Sequence, residues 1–247
     1  MASAERQVFS SSQELFRAAA QEFTRLANQA TREHGSFSVA LSGGSTPKAL
    51  YSLLAAAPAL SIPWDKIFFF WGDERHVPPD DAESNYRMVD EALLSRVPVP
   101  PGNIFRMPSE NPDAAAAASA YEQTLRSFFR LKPGELPRVD LILLGMGPDG
   151  HTASLFPQTQ ALQERSRLAV ANWVEKFKTY RITLTLPVLN NAACVMFLVT
   201  GADKASALAS VFDDRAAPDE FPAKLVQPRN GRLIWLLGQD AAASLPG

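Results

Sequence analysis

The stretch VDLILLGMGPDGHTASLF, residues 139–156, decides which fold this chain is expected to adopt. Its first part, 139–144, is a short apolar run bounded by proline and glycine, which is typical of a strand buried on both faces of a parallel sheet. The second part is rich in glycine and carries Asp149 and His151. Ligands bind beyond the carboxyl ends of the strands in open α/β sheets. The stretch therefore predicts a site at that edge, with His151 as the leading candidate for an active-site base.

The glycines of this stretch also match the GxGxxG fingerprint of dinucleotide-binding proteins, at Gly145, Gly147 and Gly150. That fingerprint needs a long helix opening at its third glycine and an acidic residue about 20 positions further on. Here Pro157 interrupts the chain soon after the third glycine, and the bulky His151 stands where a phosphate would approach. The pattern argues against a nicotinamide or flavin site.

A polar glycine loop follows a second apolar strand. FSVAL at 37–41 and SGGSTPKALYSLL at 42–54 are interpreted as a strand, a loop and a helix with Pro47 in its first turn. Free backbone N–H groups at a helix N-terminus, joined by hydroxyl donors, form an anion cradle. The residues predicted to form it are Ser42, Gly43, Gly44, Ser45 and Thr46. A capped turn without a ligand also explains these residues, but two adjacent glycines and two hydroxyls favour phosphate binding.

A third apolar strand, IFFFW at 67–71, leads into GDERHVPPDDAESNYRM at 72–88. Four titratable groups follow one another at the end of this strand. For Glu74 and His76, solvated loop charge and a functional role are equally good interpretations. For Arg75 the functional interpretation is stronger, because a guanidinium beside an anion cradle binds phosphate oxygens bidentately.

Further cations occur later in the chain. Arg181 and Lys178 precede or open the segment RITLTLPVLNNA, where each could reach the site or lie on a solvated edge. Lys204 lies in the first turn of a helix predicted over 201–212, where a cation is not electrostatically favoured. That position indicates either exposure or a ligand.

Composition and strand count predict one domain over residues 1–247, of the doubly wound α/β class. About six or seven strands in a mainly parallel sheet, with helices on both faces, are expected. The net charge of −2 argues against a general nucleic-acid or membrane surface. No apolar run approaches the roughly 20 residues that span a bilayer, so a cytoplasmic location is expected by default. The single Cys194 is interpreted as a buried hydrophobe.

Together, four segments of the chain resemble the 6-phosphogluconolactonases of the glucosamine-6-phosphate isomerase/6-phosphogluconolactonase superfamily. The segments are LSGGSTPKALY, FFWGDERHVPPDDAESNYRM, LLGMGPDGHTASLFP and RITLTLPVLNNA, in the order and spacing of that family. The resemblance implies a Rossmann-like, NagB/RpiA-like fold and hydrolysis of 6-phosphoglucono-δ-lactone to 6-phosphogluconate in the oxidative pentose phosphate pathway. It implies no metal and no organic cofactor. The expected partner is a small phosphorylated sugar lactone, bound by a monomer or small homo-oligomer.

Carried over by position, the resemblance implies that His151 activates water and that Asp149 is its acidic partner. Arg75 and the loop 42–46 match phosphate and sugar contacts, and Arg181 matches an arginine before the ITLT strand. Asp73 is also expected to contact the substrate. The segment EKFKTY departs from the proline-rich form usual in the family, so both Lys176 and Lys178 remain candidates for its nearby lysine.

Two alternatives stay open. A glucosamine-6-phosphate deaminase would use the same cradle and the same histidine, with Asp73 as proton-transfer base. The DER and DGHTASLFP segments here differ from the DEY-like and DGHIAFNEP-like residues of deaminases. A sugar-phosphate sensor would need a DNA-binding segment, and no helix-turn-helix pattern or basic stripe precedes residue 37. Lactone hydrolysis is the function the sequence favours.

Overall fold

A computed structural model describes residues 4–57 and 60–245 of the chain. Its strands are β1 (Glu5–Phe9), β2 (Phe37–Leu41), β3 (Ile67–Trp71), β4 (Asp73–Arg75), β5 (Leu141–Leu144), β6 (Ala169–Val174), β7 (Thr179–Leu184), β8 (Cys194–Val199) and β9 (Arg232–Gly238). Its α-helices are α1 (Ser12–His34), α2 (Ser45–Ala56), α3 (Asn85–Ala92), α4 (Ala114–Phe128), α5 (Leu186–Leu189) and α6 (Ala205–Phe212). Within these ranges, no helix is both long and apolar enough to cross a membrane.

The central sheet has six strands in the order β1-β9-β8-β5-β2-β3, and all of its pairs are parallel. The predicted α/β class with a mainly parallel sheet is confirmed. From β2 the chain steps to β3 on one side, and its next strand in this sheet, β5, lies on the other side of β2. The strand order therefore reverses between β2 and β5, and a crevice opens beyond their carboxyl ends.

A second sheet, β4-β7-β6, is antiparallel, and the sequence did not predict it. The sequence predicted one mainly parallel sheet, whereas β4, β6 and β7 lie outside the six-stranded parallel sheet. Only residues 175–178 separate β6 from β7, whereas a parallel connection needs a crossover of a dozen residues or more. Helix α4 packs against this sheet. Strands β4 and β7 of the sheet lie at the rim of the crevice.

Two buried tyrosines hold the carboxyl ends of the central strands. The hydroxyl of Tyr51, on α2, donates to the Ser42 carbonyl (2.9 Å) and accepts from its N–H (3.0 Å). The hydroxyl of Tyr121, on α4, makes the same pair of contacts with Trp71 at the end of β3. Burial raises the pKa of both phenols, so the hydroxyls stay protonated donors. The strand ends that carry the site are thereby fixed to their helices.

Candidate active site

A cavity of about 510 Å³ lies beyond the carboxyl ends of β2, β5 and β8. Its volume suits a ligand of sugar-phosphate size. It is lined by the predicted loop after β2, by the predicted loop after β5, and by residues of β4 and β7. The predicted residues that line it are Ser42, Gly43, Gly44, Ser45, Thr46, Asp73, Arg75, His151 and Arg181. The structure therefore brings together segments that are far apart in the sequence.

His151 lines this cavity, and its partner Asp149 lies behind it, outside the lining. Nδ1 of His151 lies 2.5 Å from Oδ1 of Asp149, so the two side chains are directly hydrogen-bonded. The loop that carries them is closed by the Gly147 N–H, which donates to the His151 carbonyl at 2.9 Å. Gly150 has a φ of 75°, a left-handed conformation that favours glycine. The tight turn places both side chains at the end of β5.

The environment keeps Asp149 ionised. Burial alone raises the pKa of its carboxyl, but hydrogen bonds from His151 and the nearby charges of His151 and Lys176 outweigh burial. The pKa of Asp149 therefore lies well below its usual range. An ionised carboxylate accepts a hydrogen bond from Nδ1–H, which leaves Nε2 as the nitrogen that can take up or release a proton. Among the described residues, Nε2 of His151 has no hydrogen-bond partner.

The loop after β2 presents donors to the cavity. Helix α2 begins at Ser45 without a side-chain cap, and Gly44 precedes it with a φ of 104°. The Gly43 and Gly44 N–H groups have no partner among the described residues. The Ser42 N–H, in contrast, already donates to Tyr51, so Ser42 contributes only its buried hydroxyl, which has no partner there. The uncapped turn supports the predicted cradle.

The cradle is packed closely against α3. A Cβ added to Gly43 would lie 1.8 Å from Oδ1 of Asn85, the first residue of that helix. The Asn85 amide nitrogen in turn donates to the Asp73 carbonyl at 3.0 Å. The glycine at 43 is therefore required by a neighbouring side chain as well as by any ligand. Asn85 connects the cradle to β4.

Two arginines lie opposite each other on the antiparallel sheet. Arg75 on β4 is paired in register with Arg181 on β7, and the second side chain is 8% exposed. Burial, followed by the charge of Arg75, lowers the pKa of Arg181. Neither guanidinium has a carboxylate partner among the described residues, and Nε of Arg181 is buried without a hydrogen bond. Two cations without a counter-ion face a cavity that is suited to an anion.

The carboxylates beside Arg75 have different surroundings. Asp73 lines the cavity and accepts a hydrogen bond from the Ser154 hydroxyl at 2.6 Å. Glu74 is 1% exposed and accepts from the N–H groups of Asn85 (2.7 Å) and Tyr86 (2.8 Å). Glu74 is therefore neither solvated nor in the cavity. Its buried carboxylate accepts hydrogen bonds from the first N–H groups of α3 and so caps the N-terminus of that helix. His76 contacts the Asn111 carbonyl at 2.6 Å and does not line the cavity.

The structure separates the three lysines that the sequence left open. Lys204 lines the cavity next to Asp203, and it precedes α6 instead of lying in its first turn. Lys176 lies 3.4 Å from Oδ2 of Asp149. Lys178 is 73% exposed and pairs with Glu175 away from the cavity.

Sequence reasoning missed several cavity residues. Thr200, at the end of β8, is 2.8 Å from the Thr46 hydroxyl, and Phe156 and Phe177 form an aromatic wall. The position of Thr200 directly after an apolar strand was an available signal for the first of these. No three of the His, Cys, Asp and Glu side chains within residues 4–57 and 60–245 form a group suited to a metal ion.

Comparison with known proteins identifies the family. The model of the glucosamine-6-phosphate isomerases/6-phosphogluconolactonase family matches residues 10–235. The chain belongs to this family. A 6-phosphogluconolactonase of Nostoc sp. is 49% identical over 87% of this chain and 88% of its own length. A 6-phosphogluconolactonase of Synechocystis sp. is 46% identical over 88% of each.

A solved structure of a family member agrees with the fold. The 6-phosphogluconolactonase of Trypanosoma brucei superposes with a TM-score of 0.89 at 30% identity, and 99% of each chain is covered. The predicted resemblance is confirmed. The named relatives are lactone hydrolases, which is the enzyme class that the sequence predicted.

Proposed function

We propose that this chain hydrolyses 6-phosphoglucono-1,5-lactone to 6-phosphogluconate, as the second step of the oxidative pentose phosphate pathway. The observation that carries the proposal is the Asp149–His151 pair beside the cavity where the strand order reverses, in a chain 49% identical to a 6-phosphogluconolactonase. One family model matches residues 10–235, which supports the proposal of a single catalytic domain over residues 1–247. A cytoplasmic location is part of the same proposal.

In the proposed reaction, His151 activates water. Nε2 takes a proton from a water molecule as the water oxygen attacks the lactone carbonyl. Asp149, held ionised, keeps Nδ1–H in place and stabilises the imidazolium that forms. When the tetrahedral intermediate collapses, the ring oxygen leaves and receives the proton back from Nε2. One histidine thus serves both proton transfers, and no covalent enzyme intermediate is needed.

The negative oxygen of the tetrahedral intermediate needs donors that are free. Gly147 and Gly150 are excluded, because their N–H groups donate within their own loop. The free N–H groups of Gly43 and Gly44 are the better candidates, since preorganised backbone donors stabilise an oxyanion without reorganisation. The proposed hydrogen-bond donors to this oxygen therefore lie in the loop after β2.

For the phosphate, we propose the cationic lining of the same cavity. The uncapped N-terminus of α2 offers N–H donors, and Lys204, Arg75 and Arg181 offer positive charge. Two of these cations lack a counter-ion among the described residues, so a phosphate dianion would replace a missing partner. The unpaired hydroxyl of Ser42 and the carboxylate of Asp73 are available to substrate hydroxyls.

The deciding experiment follows freshly generated lactone at near-neutral pH with chelator present, and runs glucosamine 6-phosphate in parallel. We expect lactone loss well above the spontaneous rate and no ammonia. Ammonia release without lactone loss would assign a deaminase instead. No turnover of either substrate would indicate a binding protein without catalytic activity. Calorimetry with 6-phosphogluconate would then detect the binding.

A further inference from the structure

The imidazole of His151 has an aromatic neighbour that the proposed mechanism does not use. The ring of Phe156 lies 4.1 Å from the imidazole, centroid to centroid, with an angle of 23° between the planes. This is a stacked arrangement, and Phe156 is only 6% exposed. The backbone of Gly147 also contacts the imidazole, since a Cβ there would lie 2.1 Å from Nδ1 and Cε1. The imidazole ring is therefore closely confined.

Confinement of the ring plane has a consequence for proton transfer. The second side-chain torsion of histidine is broad and permits ring rotation unless packing restricts it. Rotation of the imidazole would break its stacking on Phe156 and its hydrogen bond to Asp149 together. The two contacts thus hold Nδ1 on Asp149 and leave Nε2 for water. Holding the imidazole in this position lowers the free energy needed to reach the geometry for proton transfer.

Stacking also responds to charge. The face of a phenyl ring is negative and attracts a cation, so Phe156 interacts more strongly with an imidazolium than with a neutral imidazole. The imidazolium exists only after His151 has taken its proton. An interaction that strengthens along the reaction raises kcat, whereas one of constant strength does not.

We propose that Phe156 is a positioning residue for His151, which fixes the plane of the imidazole and stabilises its protonated form during lactone hydrolysis. This inference rests on the proposed function. Phe156 acts through His151 and takes no part in proton transfer. Its other aromatic neighbour, Phe177, is packed edge to face at 5.9 Å, and this contact fixes the orientation of the Phe156 ring.

The test compares Phe156→Leu with Phe156→Tyr. Leucine keeps an apolar side chain but removes the π face, so we expect kcat to fall about 3- to 30-fold with KM changed less than about twofold. Tyrosine keeps the face and should restore most of kcat. Phe128→Leu, in an aromatic cluster away from the cavity, controls for loss of a partly buried ring elsewhere.

A proton NMR measurement gives a readout independent of turnover. The chain has 3 histidines, so each imidazole signal is assignable by substitution. A phenyl ring stacked on His151 should shift its ring protons upfield, and the shift should disappear in Phe156→Leu and persist in Phe156→Tyr. Unchanged kcat in Phe156→Leu, or equal losses in both variants, would overturn the inference. An inactive wild-type chain that still shows the upfield signal would instead overturn the proposed function.

Discussion

The two edges of the central sheet differ in how many of their buried polar groups have partners. At the amino edge, Arg232 pairs with Glu5 (2.9 Å) and Glu22 (2.5 Å), and Arg25 shares the second carboxylate. Asp140 there accepts the N–H and hydroxyl of Ser38. At the carboxyl edge, the hydroxyl of Ser42, Nε of Arg181 and the start of α2 are without partners among the described residues.

This difference separates stability from function. The charges named at the amino edge are paired with one another and contribute to folding. Buried donors without partners cost free energy in the folded chain, and a ligand that pairs with them recovers that cost. We interpret the carboxyl edge as a surface that is incomplete without an anion. The four experiments below test that contrast, beginning with the largest expected effect.

Replacing the base should have the largest effect. In His151→Ala we expect kcat for the lactone to fall about 10²- to 10⁴-fold, the usual range for loss of a general base, with the fold retained. The matched control is His34→Ala, at the amino edge, where the imidazole lies 3.2 Å from Asp140. Lactone hydrolysis measured above the spontaneous background decides the outcome. Near-wild-type turnover would remove His151 from the mechanism.

Removing Arg75, one arginine of the pair that faces the cavity, should weaken binding of the phosphorylated lactone. For Arg75→Ala we expect KM for the phosphorylated lactone to rise about 10- to 100-fold, since charge-assisted hydrogen bonds are lost. Unphosphorylated gluconolactone should be affected far less. Arg87→Ala serves as the control, because that arginine pairs with Glu91 outside the cavity. Equal losses on both substrates would mean that Arg75 does not contact the phosphate.

The ionised Asp149 should make stability depend on pH. Its folded-state pKa is depressed below the ordinary value of 3.8, so its contribution is fully present above about pH 4 and is lost as the pH falls further. We expect Asp149→Asn to lower the unfolding free energy by about 1–2 kcal/mol at pH 7. Urea unfolding at pH 7 and pH 3 should show this deficit shrinking at the lower pH. A deficit independent of pH would contradict the ionised state of Asp149.

The smallest expected effect compares one arginine from each edge. Arg181→Met removes a buried charge without a partner and should raise the unfolding free energy by about 1 kcal/mol. Arg232→Met removes a charge that bridges two carboxylates and should lower it by about 1 kcal/mol. Chemical denaturation without ligand measures both. If both variants are destabilised equally, the contrast between the edges has no energetic basis.

Much of this arrangement was predictable from local patterns. The run 139–144 and the glycines after it identified β5 and its loop, because a strand buried on both faces has a continuous apolar sequence. The loop at 42–46 was identified in the same way. The residues assigned to substrate contact remain predictions, although the structure gathers them around one cavity.

Other features depend on tertiary contacts and were not predictable. The polar strand β1 forms only because β9 offers an edge, and its own sequence ERQVF has no distinctive period. The sequence left Glu74 open between a solvated charge and a functional role, because the helix N-terminus that it caps is 11 residues away in the chain. Lys176 and Lys178 lie at the same hairpin tip but contact different carboxylates, those of Asp149 and Glu175, which their spacing did not indicate.

The contact between Gly43 and Asn85 has a mechanical consequence. The Asn85 amide occupies the space beside Gly43 and also donates to the backbone of Asp73. Any shift of the loop that carries Gly43 would therefore push on α3 and be transmitted to the strand that carries Asp73 and Arg75. If the proposed site is correct, binding at this loop is therefore expected to be coupled to the position of β4 through Asn85.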